Sequence, residues 1–340
     1  MPKITIIATG GTIASLHGPD GAAAPTLTAE ALVAAVPQLA ALADIQAIQF
    51  RQVASSDLGL ADIIALALEI ERAVAEGADA VVVAQGTDTL EETSFALDLL
   101  WSGDAPVVVT GAMRNPAMPG ADGPANLAAA AHVAVSPLAR GLGVLVVFND
   151  EIHLPLHVRK THATSTTTFR SPLTGPIGWI VEGRTRIALR PPARHQVRMP
   201  VVPKTILPVA LLKLGLGEEG LLLPAIASLG YHGAVVEAFG GGHVPSALVP
   251  PLAELAAEMP VVLASRTGAG EGLRTTYGFA GSEMDLLDRG LLPAGILDGP
   301  KARVLLMLLL SAQAPADAIR AAFETVGAPG AIPCFRWAAA

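Results

Sequence analysis

Ala80-Val81-Val82-Val83-Ala84-Gln85-Gly86-Thr87-Asp88-Thr89-Leu90-Glu91-Glu92 carries a switch from one structural period to another. Its first five residues form an unbroken apolar, β-branched run, the pattern of a strand buried on both faces. Gln85-Gly86 ends that run, and Thr89 with Glu92 has the Thr-x-x-Glu spacing of a capping box, so a helix is expected just after Asp88, over 90–101. A buried strand feeding a helix through a short loop is half of a βαβ unit. The same rhythm recurs outward from it, with strands expected at 3–8, 45–53, 106–110 and 143–148 and helices at 28–35, 60–75 and 124–135. The fold class is therefore α/β, with a doubly wound, mostly parallel sheet over residues 1–190. The proline- and arginine-rich stretch 191–204 sustains neither a helix nor a central strand and reads as a linker. Strands at 205–212, 234–239 and 260–264, with helices at 246–257, 301–311 and 315–325, then give a second, smaller α/β domain over 205–340.

Composition narrows the function. The 340 residues, about two domains' worth, carry 22 Lys and Arg against 30 Asp and Glu, a net charge of −8 that disfavours a nucleic-acid partner. The 34 glycines and 27 prolines stay below the share that marks low-complexity chains. The densest apolar run, 304–310, is far too short for a membrane span, and the N-terminal run stops at Gly10-Gly11 without a signal-peptide pattern. A single cysteine, Cys334, forms no intrachain disulfide, and a cytoplasmic location is expected.

In open parallel sheets the loops beyond the carboxyl ends of the strands hold the chemistry. Two such loops stand out. In Thr9-Gly10-Gly11-Thr12-Ile13-Ala14-Ser15 paired glycines let the backbone turn sharply, leaving the Thr12 hydroxyl to project as a candidate nucleophile. In the second, Thr87 and Asp88 lie at a helix N-terminus, whose dipole favours an anionic group of a small, zwitterionic ligand. Three rivals are weaker. His153, His157 and His162 lie close together, but Pro155 intervenes and no His-Glu-x-x-His helix exists, so no metal is expected. Neither a phosphate-binding Gly-x-x-x-x-Gly-Lys loop nor the Gly-x-Ser-x-Gly of serine hydrolases is present.

Thr-Gly-Gly-Thr-Ile-Ala-Ser at 9–15 together with Gly-Thr-Asp-Thr-Leu-Glu-Glu at 86–92 resembles the bacterial-type L-asparaginase family. The likeness extends through Gly111-Ala112-Met113-Arg114, Ala121-Asp122-Gly123-Pro124, residues 143–150, Lys160-Thr161 and Lys301-Ala302-Arg303. It implies hydrolysis of L-asparagine to L-aspartate and ammonia through a threonyl ester, without a cofactor. It also implies a smaller flavodoxin-like C-terminal domain and a homotetramer built from intimate dimers. By the same resemblance Thr12 is the primary nucleophile, Thr87, Asp88 and Lys160 form the second threonine with its acid and lysine, and Lys160 accepts the Thr87 proton. Ser55, Ser56 and Asp88 would hold the substrate's α-amino and α-carboxylate groups. Backbone N–H groups near Thr12, Thr87, Asp88 and Ala112 would hold the oxyanion. Glu283, 18 residues before Lys301, and His243, where many relatives carry asparagine, would reach a neighbouring subunit's site.

The sequence also departs from that pattern. Residues 16–30 contain no tyrosine, whereas the family's mobile loop usually carries one that helps activate the first threonine; His17 and Thr26 are the local substitutes. Gln85 and Ser56 replace a frequent histidine and glutamine and are expected to bear on selectivity. Some glutaminase activity is expected, because one methylene gives only about 1 to 3 kcal/mol of discrimination. A catalytically impaired amino-acid-binding protein on the same scaffold is the alternative. The arginines within 184–198 read as a solvated linker rather than an RNA surface.

Overall fold

Residues 3–10 begin with one exposed lysine and continue as seven buried positions, so this segment can lie only in the middle of a sheet. A computed structural model describes residues 1–17, 23–191, 194–199, 202–328 and 336–338. In it Lys3–Gly10 is flanked by parallel strands on both sides, Asp44–Val53 and Ala80–Ala84. Val107–Thr110 and Val144–Phe148 continue the parallel run beyond Ala80–Ala84. Alternation along these strands feeds two cores. Ile4, Ile6, Val82, Val108 and Leu145 pack with Leu32, Leu39, Leu127 and Val133 of the helices on one face. The intervening Ile7, Val81, Val83 and Val109, also fully buried, point to the face covered by the Leu60–Ala75 and Leu90–Leu100 helices. Burial of each such valine or isoleucine contributes roughly 1.5–3 kcal/mol.

The sheet does not stop where the parallel run ends. Glu151–His153, Gly178–Val181 and Arg184–Ile187 extend it to eight strands, each antiparallel to its neighbour. The turn that starts this extension is Asn149-Asp150, with φ of 50° and 61°. A two-residue hairpin needs left-handed residues at both positions, and Asn and Asp tolerate that conformation best among residues bearing side chains. The βαβ rhythm gave no warning of this hairpin. Helix ends moved slightly: Ala29–Ala34 starts one residue late because Thr28 is its N-cap, its hydroxyl accepting the Ala31 N–H at 3.3 Å.

The chain divides into two units, Met1–Arg194 and His195–Ala340. Within the stretch expected as a bare linker, Gln196–Arg198 is a strand paired in parallel with Arg336–Ala338, so part of 191–204 is structured. The second unit is also built on a parallel sheet, whose strands lie in sequence order: Val209–Lys213, Gly233–Ala238, Val261–Ser265 and Leu292–Pro293. Val249–Glu258 covers one face, and Gly299–Ser311 packs on three of the strands. The expected 246–257 helix is a 3-10 turn, Ser246–Leu248, followed by an α-helix that begins at Val249-Pro250-Pro251, where missing N–H groups cost nothing. Among the described residues no helix is long and apolar enough to cross a membrane. Cys334 and residues 18–22 of the expected mobile loop lie outside the described residues.

Candidate active site

Two glycines bring the site together. Gly10 and Gly11 both have left-handed φ, 105° and 81°, and neither has room for a side chain. A Cβ on Gly10 would lie 2.5 Å from the Val53 carbonyl oxygen, and one on Gly11 would lie 2.1 Å from Gly86 Cα. The loop bearing Thr12 therefore lies directly against the loop bearing Thr87. On its other side the Thr87 loop meets Gly111, where a Cβ would lie 2.4 Å from the Gln85 carbonyl oxygen, and Ile13 and Ala112 crowd Gly123. Four strand-end loops thus converge, as the switch-point rule for open sheets requires. Gly11→Ala is expected to cost roughly 3 kcal/mol or more, lowering Tm by about 10 °C in a thermal melt, because it adds left-handed strain to a backbone overlap.

Thr87 is buried and its Oγ1 accepts a hydrogen bond of 2.9 Å from Lys160 Nζ. The same Nζ donates to Asp88 Oδ1 at 2.6 Å. Asp88 is exposed and Lys160 largely covered, with 70% and 15% of their side-chain surfaces open. Lys160 lies 73 residues from Thr87 in the chain, and two features hold its backbone: its N–H donates to Glu91 Oε2, and it pairs with Phe169 across the Arg159–Lys160 and Phe169–Arg170 ribbon. The Phe169 ring packs on Phe148, 4.5 Å between centroids.

Hydroxyl groups tie the loops together. Ser55 is buried and its Oγ accepts the Asp88 N–H at 3.1 Å. This bond occupies one of the backbone N–H groups expected to hold the oxyanion. Ser56, beside it, is exposed. Thr89 is the N-cap of the Leu90–Leu100 helix but does not form the expected capping box. Its hydroxyl instead donates to the Ser55 carbonyl at 2.9 Å and accepts from Gln85 Nε2 at 3.3 Å, a long-range tie that outcompetes the local one. Gln85 is fully buried and also donates to Thr93 Oγ1 at 2.8 Å, so its side chain braces the helix from beneath.

Three supporting residues escaped the sequence reading. Glu91 accepts the Lys160 N–H. Asp122 resembles an N-cap by position, yet its carboxylate turns back to accept the Met113 and Arg114 N–H groups at 3.0 and 2.9 Å. Asn126 Nδ2 donates to the Gly111 carbonyl at 3.0 Å and Oδ1 accepts the Asn149 N–H. Together these two side chains fix the Ala112 segment against the site. The only sequence signal for either was the Ala121-Asp122-Gly123-Pro124 helix start. Of the two substitutes for the absent tyrosine, His17 lies in the Ser15–His17 strand, and the Thr26 N–H donates to the Ala14 carbonyl at 2.9 Å.

In the second unit His243 and Glu283 meet, His243 Nε2 lying 3.2 Å from Glu283 Oε2. Glu283 has no exposed surface, and its Oε1 accepts the Thr276 and Tyr277 N–H groups at 2.8 and 2.7 Å. Burial alone would push its carboxyl up, but these backbone bonds, its own N–H and His243 outweigh that and hold it below the ordinary carboxylate value. The His243 ring stands edge-on to Tyr277 and at a steep angle to Phe279, 5.1 and 5.2 Å away. The histidines considered as metal ligands are otherwise engaged. His153 Nδ1 pairs with Ser171 Oγ at 2.9 Å, and burial, with the Arg170 charge, pushes that imidazole down to about 4. Among the described residues no group of three or more His, Cys, Asp or Glu side chains is arranged to hold a metal ion.

Residues 3–193 match the family described as Asparaginase, N-terminal, and residues 208–323 match the Glutaminase/Asparaginase C-terminal domain. The chain belongs to the asparaginase family. Like other members of this family, it is a hydrolase acting on amides. A probable L-asparaginase of Deinococcus radiodurans is 38% identical over 336 residues, covering 95% of this chain and 97% of that protein. A probable periplasmic L-asparaginase of Haemophilus influenzae is 34% identical, covering 95% and 93%. The crystal structure of a probable cytoplasmic L-asparaginase from Campylobacter jejuni superposes with a TM-score of 0.85 at 33% identity, covering 96% of this chain and all of that one.

Proposed function

We propose that this asparaginase-family chain hydrolyses L-asparagine to L-aspartate and ammonia through an ester on Thr12. The supporting observation is Lys160 Nζ held between Thr87 Oγ1 and Asp88 Oδ1, on a loop pressed by Gly86 against Gly11. A threonine hydroxyl is a weak nucleophile until a neighbouring base takes its proton. In its neutral form Lys160 accepts that proton through Thr87 as Thr12 Oγ bonds to the carboxamide carbon. The C–N bond then breaks, and the proton passes to the departing nitrogen, which leaves as ammonia. Water adds to the ester, releasing aspartate and restoring the Thr12 hydroxyl. Backbone N–H groups around Thr12 and Ala112 hold the oxyanion, each such donor being worth roughly 3 to 4 kcal/mol. The exposed Asp88 carboxylate and Ser56 receive the substrate's α-amino and α-carboxylate groups, with Ser55 tying Asp88 in place.

We assign Glu283 and His243 to the site of a neighbouring subunit in a homotetramer. This assignment rests on the family resemblance and on the half-exposed Tyr277 and Phe279 beside that pair. A cytoplasmic location fits the single cysteine and the named location of the Campylobacter relative. Ammonia release from L-asparagine and L-glutamine tests the reaction. L-asparagine is expected to turn over, with glutamine roughly 10- to 100-fold slower in kcat/KM. Folded protein that binds asparagine but releases no ammonia would make the chain an amino-acid-binding protein and overturn the proposal.

A further inference from the structure

His162 lies two residues beyond Lys160, in the 161–168 loop that joins the two strands of the lysine's ribbon. Its Nδ1 accepts two backbone N–H bonds, from Thr164 at 3.1 Å and Ser165 at 3.0 Å. An amide nitrogen only donates, so Nδ1 must present its lone pair and the ring proton sits on Nε2. Buried Thr168 closes the other half of the loop. Its Oγ1 accepts the His162 N–H at 2.9 Å while donating to the His162 carbonyl. The Thr161 N–H and hydroxyl both donate to the Thr168 carbonyl, at 2.9 and 2.8 Å. The Lys160 backbone is thus held by Glu91 on one side and, on the other, by a loop whose fold needs an unprotonated His162 Nδ1.

We propose that His162 is a positioning residue for Lys160. In its neutral form it folds the loop that keeps the lysine on Thr87 and Asp88, and its protonation loosens that hold and slows the reaction. This deepens the reading of Lys160 as the proton acceptor and rests on it. An imidazolium donates from both nitrogens, so protonation sets an N–H against two amide N–H groups and removes both bonds together. The effect therefore has one sign: the loop is intact at the alkaline end and loosens as pH falls. The other charged or titratable groups on the ribbon and the elements bonded to it include His153, His157, Arg159, Lys160, Arg170, Glu151, Glu91, Glu92 and Asp88. Of these, Arg170 pairs with Glu151 and Lys160 with Asp88. All are unchanged in a His162 variant, so a comparison at this one position isolates the ring.

His162→Asn offers a side-chain oxygen to the same two N–H groups but does not titrate, whereas His162→Ala offers nothing. The test measures amide-exchange protection of Thr164 and Ser165 between pH 8 and pH 5, with kcat and KM for L-asparagine over the same range. The wild type is expected to lose protection about tenfold at the acid end while His162→Asn keeps it. At pH 5 the wild-type kcat should fall about tenfold relative to His162→Asn, with KM within about twofold. His162→Ala should be slow at every pH. Protection in the wild type that follows His162→Asn throughout would overturn the proposal, as would superimposable kcat profiles. If the wild type released no ammonia at any pH, the assigned reaction and this residue's part in it would both fall. The exchange measurement would still show whether the ring controls the loop.

Discussion

Thr12→Ala is expected to lower kcat for L-asparagine by about 10⁴-fold or more while leaving the protein folded. Thr12 is half-buried and stands just after the Gly10-Gly11 turn, so its hydroxyl can be removed without opening a core cavity. Loss of stability should stay near 1 kcal/mol, the ordinary cost of a surface-proximal change. Loss of the atom that forms the covalent bond cannot be made up by its neighbours, because the remaining residues act on the proton and the oxyanion. Thr87→Ala should be comparably slow for another reason, since it cuts the link between the lysine and the reacting centre. The two variants separate in the burst phase: Thr87→Ala still has the group that forms the ester, and Thr12→Ala does not. Full turnover by Thr12→Ala with none by Thr87→Ala would reverse the two roles.

Lys160→Met should cost about 10²- to 10⁴-fold in kcat, the usual span for a lost general base, with little change in stability. The stability expectation follows from geometry. Its ion pair is with an exposed carboxylate, Asp88, and such pairs contribute roughly 0 to 1 kcal/mol. Methionine keeps most of the aliphatic stem. Steady-state kinetics beside a thermal melt check this directly. A large fall in Tm with retained kcat would make Lys160 a structural residue. Lys160→Arg is not a rescue, because a guanidinium stays protonated and cannot accept the proton.

Local patterns in the chain conveyed much of this and long-range contacts the rest. Ala80–Ala84 and Lys3–Gly10 are legible because a fully buried parallel strand must be apolar at every position, which is itself a local pattern. Gly10-Gly11 is legible as a turn, but what it turns against is not. That Gly11 touches Gly86 is a contact across 75 residues, and a glycine carries the same letter whether it faces solvent or another backbone. Lys160 entered only through family resemblance, since nothing near it in sequence announces a partner 73 residues away. The capping-box reading of Thr89 and Glu92 failed for a related reason. A capping box needs the Thr89 hydroxyl oxygen to accept a local amide N–H, but the hydroxyl is turned to the Ser55 carbonyl brought in from another strand end and accepts from Gln85 Nε2 instead. Asn149-Asp150 has the residue types of a turn, but the βαβ rhythm placed no element between 148 and the linker, and the three antiparallel strands were missed.

Identity of the acylated residue is the most direct check on this mechanism. L-asparagine mixed with the wild-type protein, acid-quenched within the first turnover and mapped by peptide mass spectrometry, should show one aspartyl group on the peptide containing Thr12. An aspartyl group on the Thr87 peptide, or first-turnover ammonia with no covalent adduct on either threonine, would contradict it.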